Sequence, residues 1–131
     1  MPHLVIDGMN VIGSRPDGWW RDRDGAARRL LGRLQALAAA TDDELTLVLD
    51  GRPLAEVPEG TYDGIDVRYA RRPGRDAGDD RIVELLEQLP HPVTVCVVTS
   101  DRALRERARA MGAEVVGAGV LLRRLDEVSD G

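Results

Sequence analysis

Val93-Thr94-Val95-Cys96-Val97-Val98-Thr99-Ser100-Asp101 is the run on which the fold turns. It is apolar at successive positions rather than alternate ones, as a strand covered on both faces must be, and it ends abruptly in small polar residues and an aspartate. His3-Leu4-Val5-Ile6 has the same form and ends at Asp7-Gly8, and Leu45-Thr46-Leu47-Val48-Leu49 ends at Asp50-Gly51. Ile65-Asp66-Val67-Arg68-Tyr69 alternates, the pattern of a half-exposed strand nearer a sheet edge. Val115-Val116 makes a short last strand.

Between these strands, apolar residues recur at helical spacing. Leu30, Leu31, Leu34, Leu37 and Ala38 mark a helix over roughly residues 25–40, preceded by a polar loop after the first strand. Ile82, Leu85, Leu86 and Leu89 mark a second, stopped by Pro90 and Pro92. Leu104, Ala108 and Met111 define a third that stops at Gly112, and Leu121, Leu122, Leu125 and Val128 a closing one. Residues 51–64 show no helix, and Arg71-Arg72-Pro73-Gly74-Arg75 reads as an exposed loop. Strands alternating with helices imply parallel pairing through right-handed crossovers. The expected fold is a three-layer α/β sandwich with a mostly parallel sheet, formed by one domain over residues 1–131.

Composition narrows the chemistry. The chain has 131 residues, and its 18 basic residues are all arginine. A chain without lysine has no amine nucleophile, Schiff-base former or P-loop lysine. The net charge of −5 does not favour a polyanion binder, but net charge describes the whole surface rather than one cleft. Cys96, the single cysteine, is expected as a buried free thiol. No signal peptide precedes the first strand and no apolar run approaches a membrane span, so a cytoplasmic protein with no membrane partner is expected.

In an open α/β sheet the functional crevice lies beyond the carboxyl ends of the strands. The first strand delivers Asp7 there, the second Asp50, the fourth Asp101, and the second helix opens amid Asp76, Asp79 and Asp80. If the first and fourth strands are neighbours, Asp7 and Asp101 face each other. Crowded carboxylates repel unless a cation neutralises them, and Mg²⁺ favours oxygen ligands. Such an ion can bind a phosphate oxygen and activate water, the minimum apparatus for phosphodiester hydrolysis without a histidine base. His3 and His91 are both badly placed for that role.

Each residue also has a plainer reading. Asp7-Gly8 and Asp50-Gly51 could be turns. Asp76 or Asp79 could cap the second helix and Ser100-Asp101 the third, each cap worth about 1 kcal/mol. Asn10 could hold its loop or orient a carboxylate. Arg15, Arg71, Arg72 and Arg75 could be solvated or could hold a phosphate backbone. Trp19-Trp20 could stack a base or pack the loop onto the domain. What outweighs the single readings is that four chain segments bring acids to one edge.

With these residues assembled, the chain resembles the NYN domain family in its YacP-like branch, within the wider PIN-like nuclease group. The resemblance rests on Val5-Ile6-Asp7-Gly8-Met9-Asn10-Val11-Ile12-Gly13, Val48-Leu49-Asp50, Asp76-Ala77-Gly78-Asp79-Asp80-Arg81-Ile82, Val97-Val98-Thr99-Ser100-Asp101 and Gly112-Ala113. It implies a PIN-like fold with strand order 3-2-1-4-5 and endoribonuclease activity dependent on Mg²⁺ or Mn²⁺. By motif position it makes Asp7, Asp79 and Asp101 the principal metal ligands and Asn10 their companion, with Asp50, Asp76, Asp80 and Ser100 as further candidates. RNA, in mRNA associated with ribosomes, is the implied partner. The chain departs from the family in carrying Asp76-Ala77-Gly78-Asp79 where Glu-Thr-Ala-Asp is usual, and Met9 where Tyr is common.

Two other functions fit parts of the pattern. A PIN-like module that binds RNA or protein without hydrolysis would keep the same fold. A phosphatase of the haloacid dehalogenase type would need a general acid two residues after Asp7, where Met9 stands.

Overall fold

The computed structural model describes residues 3–74, 76–89 and 94–130, with Ser129 and Asp130 described by backbone alone. The elements run β1 (His3–Asp7), α1 (Gly8–Gly13), a 3-10 turn (Trp19–Arg21), α2 (Arg23–Ala40), β2 (Glu44–Leu49), β3 (Gly60–Tyr62), β4 (Ile65–Tyr69), α3 (Ala77–Gln88), β5 (Val95–Val98), α4 (Arg102–Ala110), β6 (Glu114–Val116) and α5 (Ala118–Asp130). Val93, Pro90, His91 and Pro92 lie outside the described residues, as does Arg75.

The sheet has six strands in the order β3-β4-β2-β1-β5-β6. Five are parallel, and their order is the one expected for the five strands read from the sequence. The sixth, β3, pairs antiparallel with β4 and covers the edge that β4 was expected to occupy. The second correction concerns the segment after β1: it is not loop from the start but the short helix α1. Among the described residues no helix is long and apolar enough to cross a membrane.

Strand alternation explains both apolar layers. Leu4 and Ile6 of β1, Leu45, Leu47 and Leu49 of β2, and Cys96 and Val98 of β5 face a core shared with α1, α2 and α5. The intervening Val5, Val48 and Val97 face Ile82 of α3 and Leu104 and Ala108 of α4. Burying each large aliphatic side chain contributes about 1.5–3 kcal/mol, so strands apolar at every position stabilise both layers. On α2, Leu30, Leu31, Leu34 and Leu37 form the buried stripe, and the Asp22 carboxylate caps the helix by accepting the Gly25 N–H at 2.9 Å. Cys96 is buried and free.

β1 is central, with β2 on one side and β5 on the other. The register Ile6 to Val98 therefore brings Asp7, the last residue of β1, and Thr99, the first residue past β5, side by side. At the turn into α1, Gly8 runs so close to β2 that an added Cβ would lie 2.8 Å from the Val48 carbonyl oxygen and 2.7 Å from Leu49 Cδ2. Glycine is required there by contact, not by an unusual backbone angle.

Candidate active site

Asp7 terminates β1 and is only 8% exposed. The Thr99 hydroxyl, wholly buried, donates to Asp7 Oδ2 at 2.9 Å and accepts the Asp101 backbone N–H at 3.0 Å. One side chain thus fixes the first carboxylate and the backbone that presents the third. Thr99 is the site residue that the sequence reading missed. Its only signal was its place in Thr99-Ser100-Asp101, at the end of a buried strand beside Asp7.

Asp101 occupies the N-cap of α4, where Oδ1 accepts the Leu104 N–H at 2.9 Å. The capping and site readings therefore coexist, because one oxygen caps and the residue remains half-buried at the sheet edge. Asn10 lies one turn into α1, and its Oδ1 accepts the Ser100 N–H at 2.8 Å, tying α1 to the end of β5. Ser100 is engaged in the scaffold as well, its Oγ accepting the Ala118 N–H at 3.0 Å where α5 begins.

Asp79 stands in the first turn of α3. The helix start is seated against β2, since an added Cβ on Gly78 would meet Asp50 Cβ and Oδ2 at 3.4 Å. Asp76 occupies the N-cap position of α3 but makes no capping bond and has a left-handed backbone, φ 63°. The capping reading fails for it.

Electrostatics show which acids share a field. Burial pushes the Asp7 carboxyl up to about 6 from 3.8; the Thr99 bond opposes this, and the charges of Asp50 and Asp101 add to it. Asp79 is likewise pushed up to about 6, first by burial and then by the charges of Asp7, Asp101 and Asp76. None of Asp7, Asp79 and Asp101 forms an ion pair among the described residues. Arg107 tempers Asp79 only as a distant charge. Asp50 has Arg23 at 3.7 Å. Asp80 is drawn out of the group by Arg72 at 2.5 Å and Arg107 at 3.0 Å, which hold its carboxyl below the usual range.

Among the described residues no three His, Cys, Asp or Glu side chains stand close enough to form a metal site as they are. The donor set nonetheless suits a hard cation: all-oxygen, with two carboxylates lifted in pKa by burial and by like charges. A cation would have to draw these side chains inward.

Three of the four candidate arginines form ion pairs within the fold. Arg15 pairs with Asp126 of α5 at 2.9 Å. Arg71 grips Glu84 through Nε and Nη2 at 2.6–2.8 Å, and Arg72 is held by Asp80. Arg75 lies outside the described residues. Trp19 packs against the core, whereas Trp20 is 53% exposed with the Arg21 guanidinium 6.0 Å from its ring centroid. His3 sits at the opposite end of β1, its Nε2 2.7 Å from Thr46 Oγ1. Beside the acids, a cavity of about 180 Å³ opens between Asp50, Met9, Leu54 and Tyr69.

The YacP-like NYN domain profile matches residues 4–131. A crystal structure of Rae1 (YacP) from Bacillus subtilis superposes with a TM-score of 0.80 at 22% identity, covering 99% of this chain and 76% of that one. A point mutant of the same protein gives 0.79 at 23% identity, with 99% and 78% covered. At that identity the likeness speaks for the fold alone. No curated protein matches the sequence.

Proposed function

This chain belongs to the YacP-like NYN domain family, a nuclease-type fold, and on that premise we propose that it is a divalent-cation-dependent endoribonuclease. The observation that carries the reading is the unneutralised field shared by Asp7, Asp79 and Asp101, with Asp50 and Asp76 at its margins. Buried or crowded acids with no cationic partner are costly to maintain, and they concentrate where they bind or react.

Asp7, Asp79 and Asp101 would hold Mg²⁺ or Mn²⁺. When bound, the cation would offset their repulsion, polarise a phosphate oxygen and supply an activated water. The chain's own residues prepare that step. Thr99 locks the Asp7 carboxylate in one orientation and anchors the backbone at Asp101. Capping of α4 fixes the Asp101 side chain, and the Asn10 amide clamps the adjoining Ser100 backbone. Asp79, on a separate helix, is the ligand with most freedom to close on the other two.

Labelled RNA incubated with Mn²⁺, with Mg²⁺ and with EDTA, beside Asp7→Asn and Asp101→Asn variants, tests this. The expected result is internal cleavage that requires the cation and falls at least ~100-fold in either variant, equivalent to about 2.7 kcal/mol. Cleavage in EDTA, or cleavage untouched by Asp7→Asn, overturns it. A second reading is favoured by the lack of a ready three-ligand group: a module that binds RNA without cutting it. RNA binding with no cleavage under any cation would establish that alternative.

A further inference from the structure

Three of the four arginines that the sequence offers for the substrate backbone are neutralised within the fold, Arg15 by Asp126, Arg71 by Glu84 and Arg72 by Asp80. Unspent cationic charge stands elsewhere, on α4. Arg102, Arg105 and Arg109 recur at i, i+3 and i+7, which places them on one helix face. With Ser100 and Glu106 they line an open cavity of about 480 Å³.

Arg105 and Arg109 form no ion pair among the described residues, and Arg105 Nε is shielded from solvent without any hydrogen-bond partner. Native structures seldom leave such a donor orphaned, and no carboxylate among the described residues has claimed this side chain. Arg102 reaches Glu106 only at 3.6 Å with both side chains exposed, a pair worth little. The three guanidinium groups therefore outweigh the one carboxylate. Their planar forks match phosphate oxygens.

Position gives this face its meaning. The cavity begins at Ser100, next to Asp101, and the arginines lead from there along α4 over about 10 Å of helix axis. A phosphate chain seated on them arrives at the acidic edge, and cationic residues there offset the repulsion between an anionic substrate and an anionic site. Resting on the ribonuclease reading, we propose that Arg102, Arg105 and Arg109 form the track that seats the backbone phosphates of single-stranded RNA on one side of the cut.

The test is binding without cleavage. The full chain is titrated in EDTA against a fluorescein-labelled single-stranded RNA of about 12 nucleotides, followed by anisotropy between about 50 and 200 mM salt. Arg105→Gln/Arg109→Gln is compared with Arg29→Gln/Arg123→Gln, which removes equal charge from α2 and α5. The first pair should weaken binding at least ~10-fold and lower the salt slope by about 1.4, two contacts at about 0.7 each for a single strand. The second pair should leave the slope unchanged. Melting temperatures check folding, and Arg109→Gln alone, at an exposed position, keeps the test readable if the first pair unfolds. If wild-type RNA binding persists unaltered in the first pair, or both pairs weaken it equally, the track is overturned while the ribonuclease reading stands. If the wild type binds no RNA, the track is overturned, and the ribonuclease reading is decided by the cleavage assay alone.

Discussion

The Thr99 hydroxyl donates to Asp7 Oδ2 across 92 residues of sequence, and the same oxygen accepts the Asp101 N–H. Replacing it with valine keeps the volume and removes both bonds inside a fully buried site. Thr99→Val should cost about 1–3 kcal/mol by leaving buried polar groups unsatisfied. It should also lift the Asp7 pKa further, since the lost bond is what pulls it down. Urea denaturation and carboxyl NMR titration read the two effects, and Thr99→Ser should rescue both. Equal stability of Thr99→Val and wild type would show that the bond carries no weight.

Stability of the cation-free protein should fall as pH rises from about 4 to about 6. Asp7 moves from 3.8 to about 6 on folding, so within that window the folded chain binds more protons than the unfolded one. The native state is therefore favoured below 3.8, and that advantage is gone above about 6. For Asp7 the shift corresponds to a cost on the order of 2–3 kcal/mol at neutral pH. Asp7→Asn should then raise the melting temperature by roughly 5–10 °C at pH 7.5 and leave it nearly unchanged at pH 4. A variant destabilised at pH 7.5 would refute the electrostatic account.

Cation binding should carry the opposite dependence. Ligating carboxylates must be ionised, so stabilisation by Mn²⁺ should be present above pH 6 and fade below it, as Asp7 and Asp79 take up protons. Thermal melts with and without Mn²⁺ at pH 5 and pH 7.5 decide this. No Mn²⁺ shift at pH 7.5 would argue against a site that the cation can close.

Gly8→Ala should destabilise even though alanine is the better helix former by up to ~1 kcal/mol. The added methyl would sit 2.8 Å from the Val48 carbonyl oxygen and within 3 Å of Leu47 and Leu49 side-chain carbons. Overpacking of this kind costs about 1–3 kcal/mol, and the backbone oxygen cannot swing aside. The denaturation midpoint should drop; an unchanged midpoint would mean that β1 and β2 separate freely at that end.

The sheet was legible because β1, β2 and β5 are largely apolar at successive positions, as a doubly covered parallel sheet requires, and because each of these three leads into an acid. What escaped was short or tertiary in origin. α1 spans six residues bounded by Gly8 and Gly13, too few to display a helical period. β3 spans three residues and is defined by its pairing with β4 rather than by its own pattern. The ion pairs of the arginines were not legible for a different reason: the carboxylate partners of Arg71 and Arg72 lie 13 and 8 residues away on α3. The orphaned charge of α4 is visible only once those pairs are taken away. Thr99 could not be distinguished from Ser100 until strand register placed one beside Asp7 and the other against α5.

The central position of β1 sets the order in which the site can come into being. Its neighbour β2 is synthesised soon after it, but β5 emerges from the ribosome only after β2, β3, β4 and α3. Closing that long loop is entropically slow, and until it closes Asp7 has neither Thr99 to orient it nor the charge of Asp101 nearby. Nascent or truncated chains ending before residue 95 would thus contain the first aspartate without Thr99 or Asp101 beside it. The topology leaves the carboxylate group incomplete until β5 has been made and has paired with β1.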